Sequence, residues 1–163
     1  MCTYTTTVET PVGPMTAAVN EAGHLLALWF GSEISESEIP GERIEDSERC
    51  GGVIKQVCEY FAGDRREFDI VLAPRGTEFQ RQVWDELTRI PYGASISYGE
   101  LAARIGRPKA VRAVGQANGA DPIAIIVPCH RVIGANGKLT GYAGGLANKH
   151  QLLALEAMTL MAS

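Results

Sequence analysis

The sequence predicts an α+β protein in two parts, a small antiparallel sheet with one helix followed by a mostly helical part. Short β-type segments separated by turn residues fill the first part, and helix-start signals with helical spacing of apolar residues dominate the second. The charge changes at the same place. Residues 1–74 hold 5 basic and 13 acidic residues, net −8, and residues 75–163 hold 10 and 6, net +4. We therefore expect domains at 1–73 and 77–163, although surface composition alone could produce this asymmetry.

The N-terminal part contains four segments with the composition of strands and one with the spacing of a helix. Turn residues such as Pro11-Val12-Gly13-Pro14 and Glu21-Ala22-Gly23 separate the first three strands. Residues 31–46 are polar and acidic, which indicates a loop. The predicted strands are Thr3–Val8, Met15–Val19, His24–Phe30 and Phe68–Leu72, and the predicted helix carries Val53, Val57 and Tyr60-Phe61 on one face before Gly63-Asp64 ends it.

The C-terminal part begins with two capping boxes, Thr77 with Gln80 and Ser97 with Glu100, each of which predicts the start of a helix. Pro108 suits the first residue of a further helix over about 109–118, so a short helix pair with a Gly-containing turn is predicted. Asn136-Gly137 is typical of a hairpin turn and predicts a wing. The chain closes with a helix over about 146–158.

An apolar run, Ile123–Val127, precedes Pro128-Cys129-His130-Arg131-Val132. Its length fits a buried strand and is too short for a membrane span. Such a strand would deliver a thiol, an imidazole and a guanidinium to the end of the core. A thiol held as thiolate by its neighbours is a nucleophile. Taken alone, Cys129 is better explained as an inert buried cysteine, which is what most single cysteines are.

The predicted helix over about 109–118 combines small residues with one arginine, Arg112. Gly and Ala reduce the bulk of one face, so the backbone can approach another surface closely. That surface could be a neighbouring helix, with Arg112 merely solvated. It could also be a groove of DNA, with Arg112 filling the space that a displaced base leaves.

Composition excludes several classes of protein. No stretch is long and apolar enough for a transmembrane helix, and the N-terminus has no signal-peptide pattern, so we expect a cytoplasmic protein. The cysteines are Cys2, Cys50, Cys58 and Cys129, and they lack the spacing of a disulfide framework or a metal site. Reduced thiols are expected.

Three segments of the C-terminal part carry a resemblance to a known family. The first is Ile96-Ser97-Tyr98-Gly99-Glu100-Leu101-Ala102. The second joins Arg112-Ala113-Val114-Gly115 and Pro122 to residues 126–134 around Cys129, and the third is Gly141-Tyr142-Ala143-Gly144-Gly145-Leu146 with Lys149. Together they resemble the O6-alkylguanine-DNA alkyltransferases (methylated-DNA–protein-cysteine methyltransferases), closely over residues 77–157 and loosely before them.

The resemblance implies direct reversal of DNA damage. The family flips O6-alkylguanine out of duplex DNA and moves the alkyl group irreversibly onto a cysteine, once per molecule, with O4-alkylthymine as a second expected substrate. It also implies a ribonuclease H-like N-terminal domain and a winged helix-turn-helix domain that binds the minor groove of double-stranded DNA. No cofactor is expected. We expect a monomer, with cooperativity along DNA left open.

The resemblance also implies roles for individual residues. Cys129 matches the acceptor, and His130 and Glu156 match a relay that removes its proton through a water. Tyr98 matches the phenol at the base and Arg112 the residue inserted into the base stack. Val132, with Cys129, offers a carbonyl to the amino group of guanine, and the Ala143 amide approaches its oxygen. Further expected DNA contacts are Gln80, Arg81, Gly99, Arg107, Ala135 and Asn136, and the expected structural residues near the site are Asp121, Arg131 and Lys149.

Two features depart from the family pattern. Asp121 stands where members usually carry Asn, and a carboxylate there could raise the pKa of the thiol. Cys2 and His24 lie near the zinc ligands of some members, but the set is incomplete, so no zinc is predicted. The metal-binding transcription segment of regulatory relatives is also missing, so a stand-alone repair protein is expected.

Two other functions use the same residues differently. A DNA-binding relative that senses lesions without transfer would replace the acceptor cysteine, and Cys129 is present. A thiol hydrolase or redox enzyme could use Cys129 and His130, but it would need an oxyanion pocket or a resolving cysteine, and it would have no use for Tyr98 and Arg112.

Overall fold

The computed structural model describes residues 2–33, 39, 41–137 and 139–163. The chain divides into two compact units, Met1–Arg75 and Gly76–Ser163. The first is a sheet with a helix and the second is mostly helical, so the predicted α+β class is confirmed.

The first unit contains a four-stranded sheet in the order β3-β2-β1-β4. β1 pairs antiparallel with β2 from Tyr4↔Val19 to Thr10↔Gly13, and β2 pairs antiparallel with β3. Gly13 has φ +94° and so permits the tight turn between β1 and β2. The strands are β1 (Cys2–Thr10), β2 (Gly13–Val19), β3 (Leu25–Phe30) and β4 (Glu42–Glu45).

The helix of the first unit is α1 (Gly51–Phe61), as predicted from its spacing. It buries Val53, Val57 and Tyr60, which lie three and four residues apart and therefore share one face. Tyr60 stacks edge-on against Phe61, with ring centroids 5.3 Å apart.

Two predictions for this unit were wrong. Phe68–Leu72 is not a strand: only Leu72 bridges to Leu25, because the extended segment shares just two backbone hydrogen bonds with that residue. The predicted loop at residues 31–46 contains β4, which pairs in parallel with β1 and makes the sheet mixed. Polar composition concealed β4 because an edge strand can expose most of its side chains. Residues 34–38 and 40 of the predicted loop lie outside the described residues.

The second unit begins with α2 (Glu78–Leu87). The predicted capping box is present in full, with Gln80 N–H donating to Thr77 Oγ1 at 3.1 Å and Thr77 N–H to Gln80 Oε1 at 2.9 Å. α2 is tied to a later helix through Trp84, whose Nε1–H donates to the Ala117 carbonyl at 2.8 Å. The remaining elements are β5 (Ile96–Ser97), α3 (Tyr98–Arg104), α4 (Val111–Gly119), a 3₁₀ turn (Cys129–Arg131), β6 (Val132–Ile133) and α5 (Leu146–Met161).

The helix pair α3 and α4 has the predicted turn but a different start to its second helix. Ser97 Oγ accepts the Glu100 N–H at 3.0 Å, while the Glu100 carboxylate binds Arg104 instead of completing a capping box. α4 begins at Val111 because Arg107–Ala110 forms a separate turn, closed by Ala110 N–H to Arg107 O at 2.9 Å. Pro108 occupies the second position of that turn, where its fixed φ also fits.

The apolar run Ile123–Val127 is buried, but it is a series of turns and the predicted strand was wrong. Val127 N–H donates to Ile123 O at 3.1 Å, and Ile125 adopts φ 71°, which is strained for a β-branched residue. Burial alone does not specify a strand, and flanking Pro122 and Pro128 lack the N–H that sheet pairing needs. The run therefore folds back into the core immediately before Cys129.

The predicted wing corresponds to a turn at residues 134–137, closed by Gly137 N–H to Gly134 O at 2.9 Å. β6, just before it, pairs in parallel with β5. Lys138, directly after the turn, lies outside the described residues. In the described part of the chain, none of the helices combines the length and apolar character needed to cross a bilayer.

Candidate active site

Cys129 opens the 3₁₀ turn Cys129–Arg131 and retains 6% of its surface. Its N–H donates to Val127 O at 2.8 Å, and its carbonyl accepts the Asn118 side-chain amide at 3.4 Å. Asn118 belongs to α4, so the Cys129 segment and the helix carrying Arg112 are bonded to each other. No motif points to Asn118, because its partner is a backbone carbonyl eleven residues away.

The surroundings of Cys129 disfavour a free thiolate. Burial raises the pKa of the thiol well above its usual range, and the Asp121 carboxyl raises it further. The Lys149 ammonium acts in the opposite direction but is outweighed. A nucleophilic role therefore requires a group that removes the thiol proton during the reaction.

His130 and Glu156 meet in the core of this unit, both with 0% exposed surface. His130 Nε2 lies 2.7 Å from Glu156 Oε2. Burial lowers the pKa of His130, although Glu156 opposes the shift, so the imidazole is neutral at pH 7. With an ionised Glu156, Nε2 carries the proton and Nδ1 is the acceptor. Nδ1 is buried without a hydrogen-bond partner among the described residues.

Arg131 binds the same carboxylate as His130. Its Nε donates to Glu156 Oε1 at 2.9 Å and its Nη2 to Oε2 at 3.0 Å, while Nη1 donates to the Ile90 carbonyl at 2.8 Å. Gly93 N–H also donates to Oε1 at 3.0 Å. Burial would raise the pKa of Glu156, but the hydrogen bonds from His130 and Arg131 outweigh it and lower the pKa to about 2.

Lys149 is fully buried on α5 and crosses to two backbone carbonyls. Its Nζ donates to Val132 O at 2.7 Å and to Thr140 O at 2.8 Å. Burial lowers the pKa of Lys149, and Cys129 opposes the shift. Since Lys149 already uses one lone pair of Val132 O, the predicted bond from a guanine amino group to this carbonyl would have to use the other.

Tyr98 begins α3 and its hydroxyl lies near the same loop. It donates weakly to Thr140 O at 3.4 Å and accepts from Thr140 Oγ1 at 3.3 Å. On α4, a Cβ placed on Gly115 would lie 3.7 Å from the Tyr98 ring, an ordinary contact. Gly115 of α4 thus lies against the Tyr98 ring, while Arg112 is exposed on the same helix.

The other predicted DNA contacts are distributed over the surface of the unit. Gln80 is half-buried, and its side-chain oxygen is engaged by the Thr77 N–H. The Arg107 guanidinium lies over the Phe79 ring at 5.5 Å. The exposed positions are Arg81, Gly99, Arg107, Ala135, Asn136 and Ala143. His150, read from the sequence as exposed without a role, is exposed.

Two participants were missed by sequence reasoning. The Gly93 backbone N–H contacts Glu156 across 63 residues, and nothing in a glycine's identity signals such a bond. Tyr142 lies where its electrostatics couple to Cys129, Asp121 and Glu156, and burial raises its pKa above the usual range. The signal that could have identified Tyr142 is its position in the Gly-rich motif of residues 141–145. Among the described residues, no three His, Cys, Asp or Glu side chains are grouped to hold a metal ion.

Family models match both units of the chain. Residues 3–74 match the ribonuclease-like domain of 6-O-methylguanine DNA methyltransferase, and residues 78–158 match the DNA-binding domain of the same family.

Individual relatives align over nearly the whole chain. A methylated-DNA–protein-cysteine methyltransferase of Methanosarcina acetivorans is 52% identical over 153 residues, covering 94% of this chain and 97% of that protein. The crystal structure of the Mycobacterium tuberculosis O6-methylguanine methyltransferase superposes with a TM-score of 0.86 at 47% identity, covering 96% of this chain and 94% of that one. The M. tuberculosis protein in complex with DNA superposes with a TM-score of 0.84 at 46% identity, covering 98% and 94%.

Proposed function

The chain belongs to the 6-O-methylguanine DNA methyltransferase family, and from this premise we propose that Cys129 is the residue that receives the alkyl group. The protein repairs DNA by transferring an alkyl group from the damaged base to one of its own cysteines. The observation that supports Cys129 is its position beside His130, whose imidazole is hydrogen-bonded to a buried carboxylate at 2.7 Å.

The thiol proton moves to His130 in this proposal. The imidazole is neutral, its Nε2–H is held by Glu156, and its Nδ1 is the remaining acceptor. One bridging water suits the link, because consecutive side chains rarely face each other. The imidazolium that forms is stabilised by the Glu156 carboxylate, as in other nucleophile–base–acid arrangements.

The transfer itself is a displacement at the alkyl carbon. The Cys129 thiolate supplies the electron pair for the new S–C bond, and the C–O6 bond breaks with its pair going to guanine. The guanine anion takes a proton, for which the Tyr98 hydroxyl is the candidate donor. Tyr98 regains its proton from solvent or from the imidazolium. The thioether is stable, so the protein molecule reacts once.

DNA is engaged through the second unit. We assign Arg112 to the space that the flipped base leaves in the stack, because it is exposed on a helix whose other face is bonded to the Cys129 segment. The proposal further includes O6-alkylguanine as the lesion and approach of the protein from the minor groove. The protein acts as a monomer and is located in the cytoplasm. Arg81 and Arg107 are exposed and available for phosphate contacts.

Intact mass spectrometry tests the proposal. The protein is mixed with duplex DNA carrying one O6-methylguanine, and a single added methyl group on Cys129 is expected. Cys129→Ser should remove the addition. Cys58→Ser should not, although Cys58 is the exposed thiol of the first unit. Absence of any mass change in the wild-type protein, or a methyl group on Cys58, would contradict the proposal.

A further inference from the structure

Thr140 lies in the segment between β6 and α5 and contacts the Tyr98 hydroxyl through both of its oxygens. The Thr140 hydroxyl donates to the Tyr98 oxygen at 3.3 Å, and the Thr140 carbonyl accepts from the Tyr98 hydroxyl at 3.4 Å. Both distances are long for bonds between oxygens, so each bond is weak before DNA binds. Hydrogen bonds of reacting groups are often long in the free protein and tighten when the substrate is in place.

The Thr140 carbonyl is held independently of Tyr98. The fully buried Lys149 donates from Nζ to Thr140 O at 2.8 Å and to Val132 O at 2.7 Å. The bond from the ammonium is shorter than the bond from the phenol, and hydrogen bonds from charged donors are the stronger ones. The carbonyl therefore keeps its strong donor when the Tyr98 O–H turns away. What then remains between the two residues is the bond that the Thr140 hydroxyl donates.

The two parts of Tyr98 are positioned by different residues. Its half-buried ring begins α3 and lies against Gly115 of α4, whereas its hydroxyl is bonded to Thr140. A phenol that gives its proton to a base needs a free O–H and a donor to its oxygen, because negative charge develops on that oxygen. A hydroxyl can be that donor, and its bond becomes charge-assisted as the phenolate forms. The Thr140 hydroxyl meets this requirement.

We propose that Thr140 is a positioning residue for Tyr98: its hydroxyl donates to the phenol oxygen, leaves the Tyr98 O–H free for the base and stabilises the phenolate. The proposal rests on the function proposed above for Cys129 and Tyr98. The proton that the guanine anion receives is that of Tyr98, which regains one from solvent or from the imidazolium. Thr140 keeps its own proton throughout, and its action on the base passes through Tyr98.

Raman spectroscopy of the full chain tests the hydrogen bond without DNA. The intensity ratio of the tyrosine doublet reports whether a phenol oxygen donates or accepts. Thr140→Val replaces the hydroxyl with a methyl group and should change this ratio, whereas Thr140→Ser should preserve it. In a Tyr98→Phe background, Thr140→Val should change nothing, because the phenol oxygen of Tyr98 is absent. An unchanged ratio in Thr140→Val, or a change that persists in the Tyr98→Phe background, would overturn the proposal.

Single-turnover transfer from a saturating O6-methylguanine duplex tests the role in the reaction. Thr140→Val should slow transfer about tenfold, the usual effect of losing one hydrogen bond to a charged group, and leave the Kd for DNA unchanged. Thr140→Ser should restore the rate. Thr88→Val is the matched control, because Thr88 is also exposed and its hydroxyl donates elsewhere, to Asp85 O at 2.6 Å. Its rate should equal that of the wild-type protein.

The same measurement in the Tyr98→Phe background separates action through Tyr98 from a general structural effect. There, Thr140→Val should slow transfer no further. Equal slowing in both backgrounds, or a wild-type rate for Thr140→Val, would refute the proposal. A wild-type rate for Tyr98→Phe would remove Tyr98 as proton donor and the role of Thr140 with it. If the wild-type protein transfers nothing, the function proposed for Cys129 fails together with any role in transfer, whereas the Raman result still decides whether Thr140 donates to Tyr98.

Discussion

Replacing Glu156 with alanine should destabilise the second unit severely. The substitution removes the acceptor of two bonds from Arg131, one from His130 and one from the Gly93 N–H, all at 2.7–3.0 Å. It leaves the Arg131 guanidinium buried without its carboxylate, a change that costs about 3–5 kcal/mol. Single domains are stable by only about 5–15 kcal/mol, so the variant should be marginally folded.

Glu100→Ala is the matched control, because Glu100 also pairs with an arginine, Arg104, at 2.7 Å but lies exposed. Its loss should cost about 0.3–0.5 kcal/mol. Urea unfolding, followed by Trp84 fluorescence in a Trp29→Phe background, measures the free energy of unfolding of both variants. If Glu156→Ala costs no more than Glu100→Ala, the buried cluster contributes nothing and the reasoning is wrong.

Glu156→Gln separates the charge from the volume. The Gly93 N–H and Arg131 Nε both donate to Oε1, so they select the glutamine oxygen there, and the amide nitrogen must take the Oε2 position facing His130 and Arg131 Nη2. The imidazole must then accept at Nε2 and carry its proton on Nδ1, which removes the acceptor for the thiol. Transfer measured on the folded variant should slow about a hundredfold or more, the usual contribution of a general base. A wild-type rate would refute His130 as the proton acceptor.

Two further predictions concern stability. The pKa of Glu156 is about 2 in the folded protein against a usual 4.5. Ionised Glu156 therefore stabilises the folded state above the unfolded pKa, and this stabilisation is lost as pH falls through the folded pKa. The free energy of unfolding, measured as a function of acid pH, should fall by roughly 3 kcal/mol in the wild-type protein and lack this loss in Glu156→Gln. Gly106→Ala should cost about 1 kcal/mol by urea unfolding from its φ of +78° alone. Gly93→Ala, at φ +79°, should cost more, because its Cβ would overlap Leu160 Cδ1, which would have to move; equal losses would contradict the steric argument.

Local signals in the sequence predicted most of the elements. The Thr77–Gln80 box, the spacing of Val53 and Val57, and the turn at Gly13 each depend on residues close together in the chain, and each was confirmed. The strand predicted at Ile123–Val127 was wrong because apolar content predicts burial and not conformation. The positive φ at Ile125 is imposed by packing that no local pattern reveals.

The sequence predicted those residues of the site that lie together in one motif. Cys129 and His130 are adjacent in the chain, but the bond from His130 to Glu156 spans 26 residues and was expected only through the family resemblance. Arg131 was expected to be structural, yet it binds the very carboxylate that orients His130. His130 and Arg131 both bind the Glu156 carboxylate, and only the tertiary structure brings the three side chains together.

Binding of the Glu156 carboxylate by both His130 and Arg131 bears on the proposed role of His130 as acceptor of the thiol proton. A buried carboxylate at 2.7 Å would by itself raise the pKa of the imidazole and favour the imidazolium, which has no lone pair for a thiol proton. Arg131 neutralises Glu156, and its charge, after the larger effect of burial, lowers the pKa of His130. The His130 imidazole is therefore neutral, and its Nε2–H is hydrogen-bonded to Glu156. In the proposed reaction, the negative charge of the Cys129 thiolate would join that of Glu156 in stabilising the imidazolium that forms.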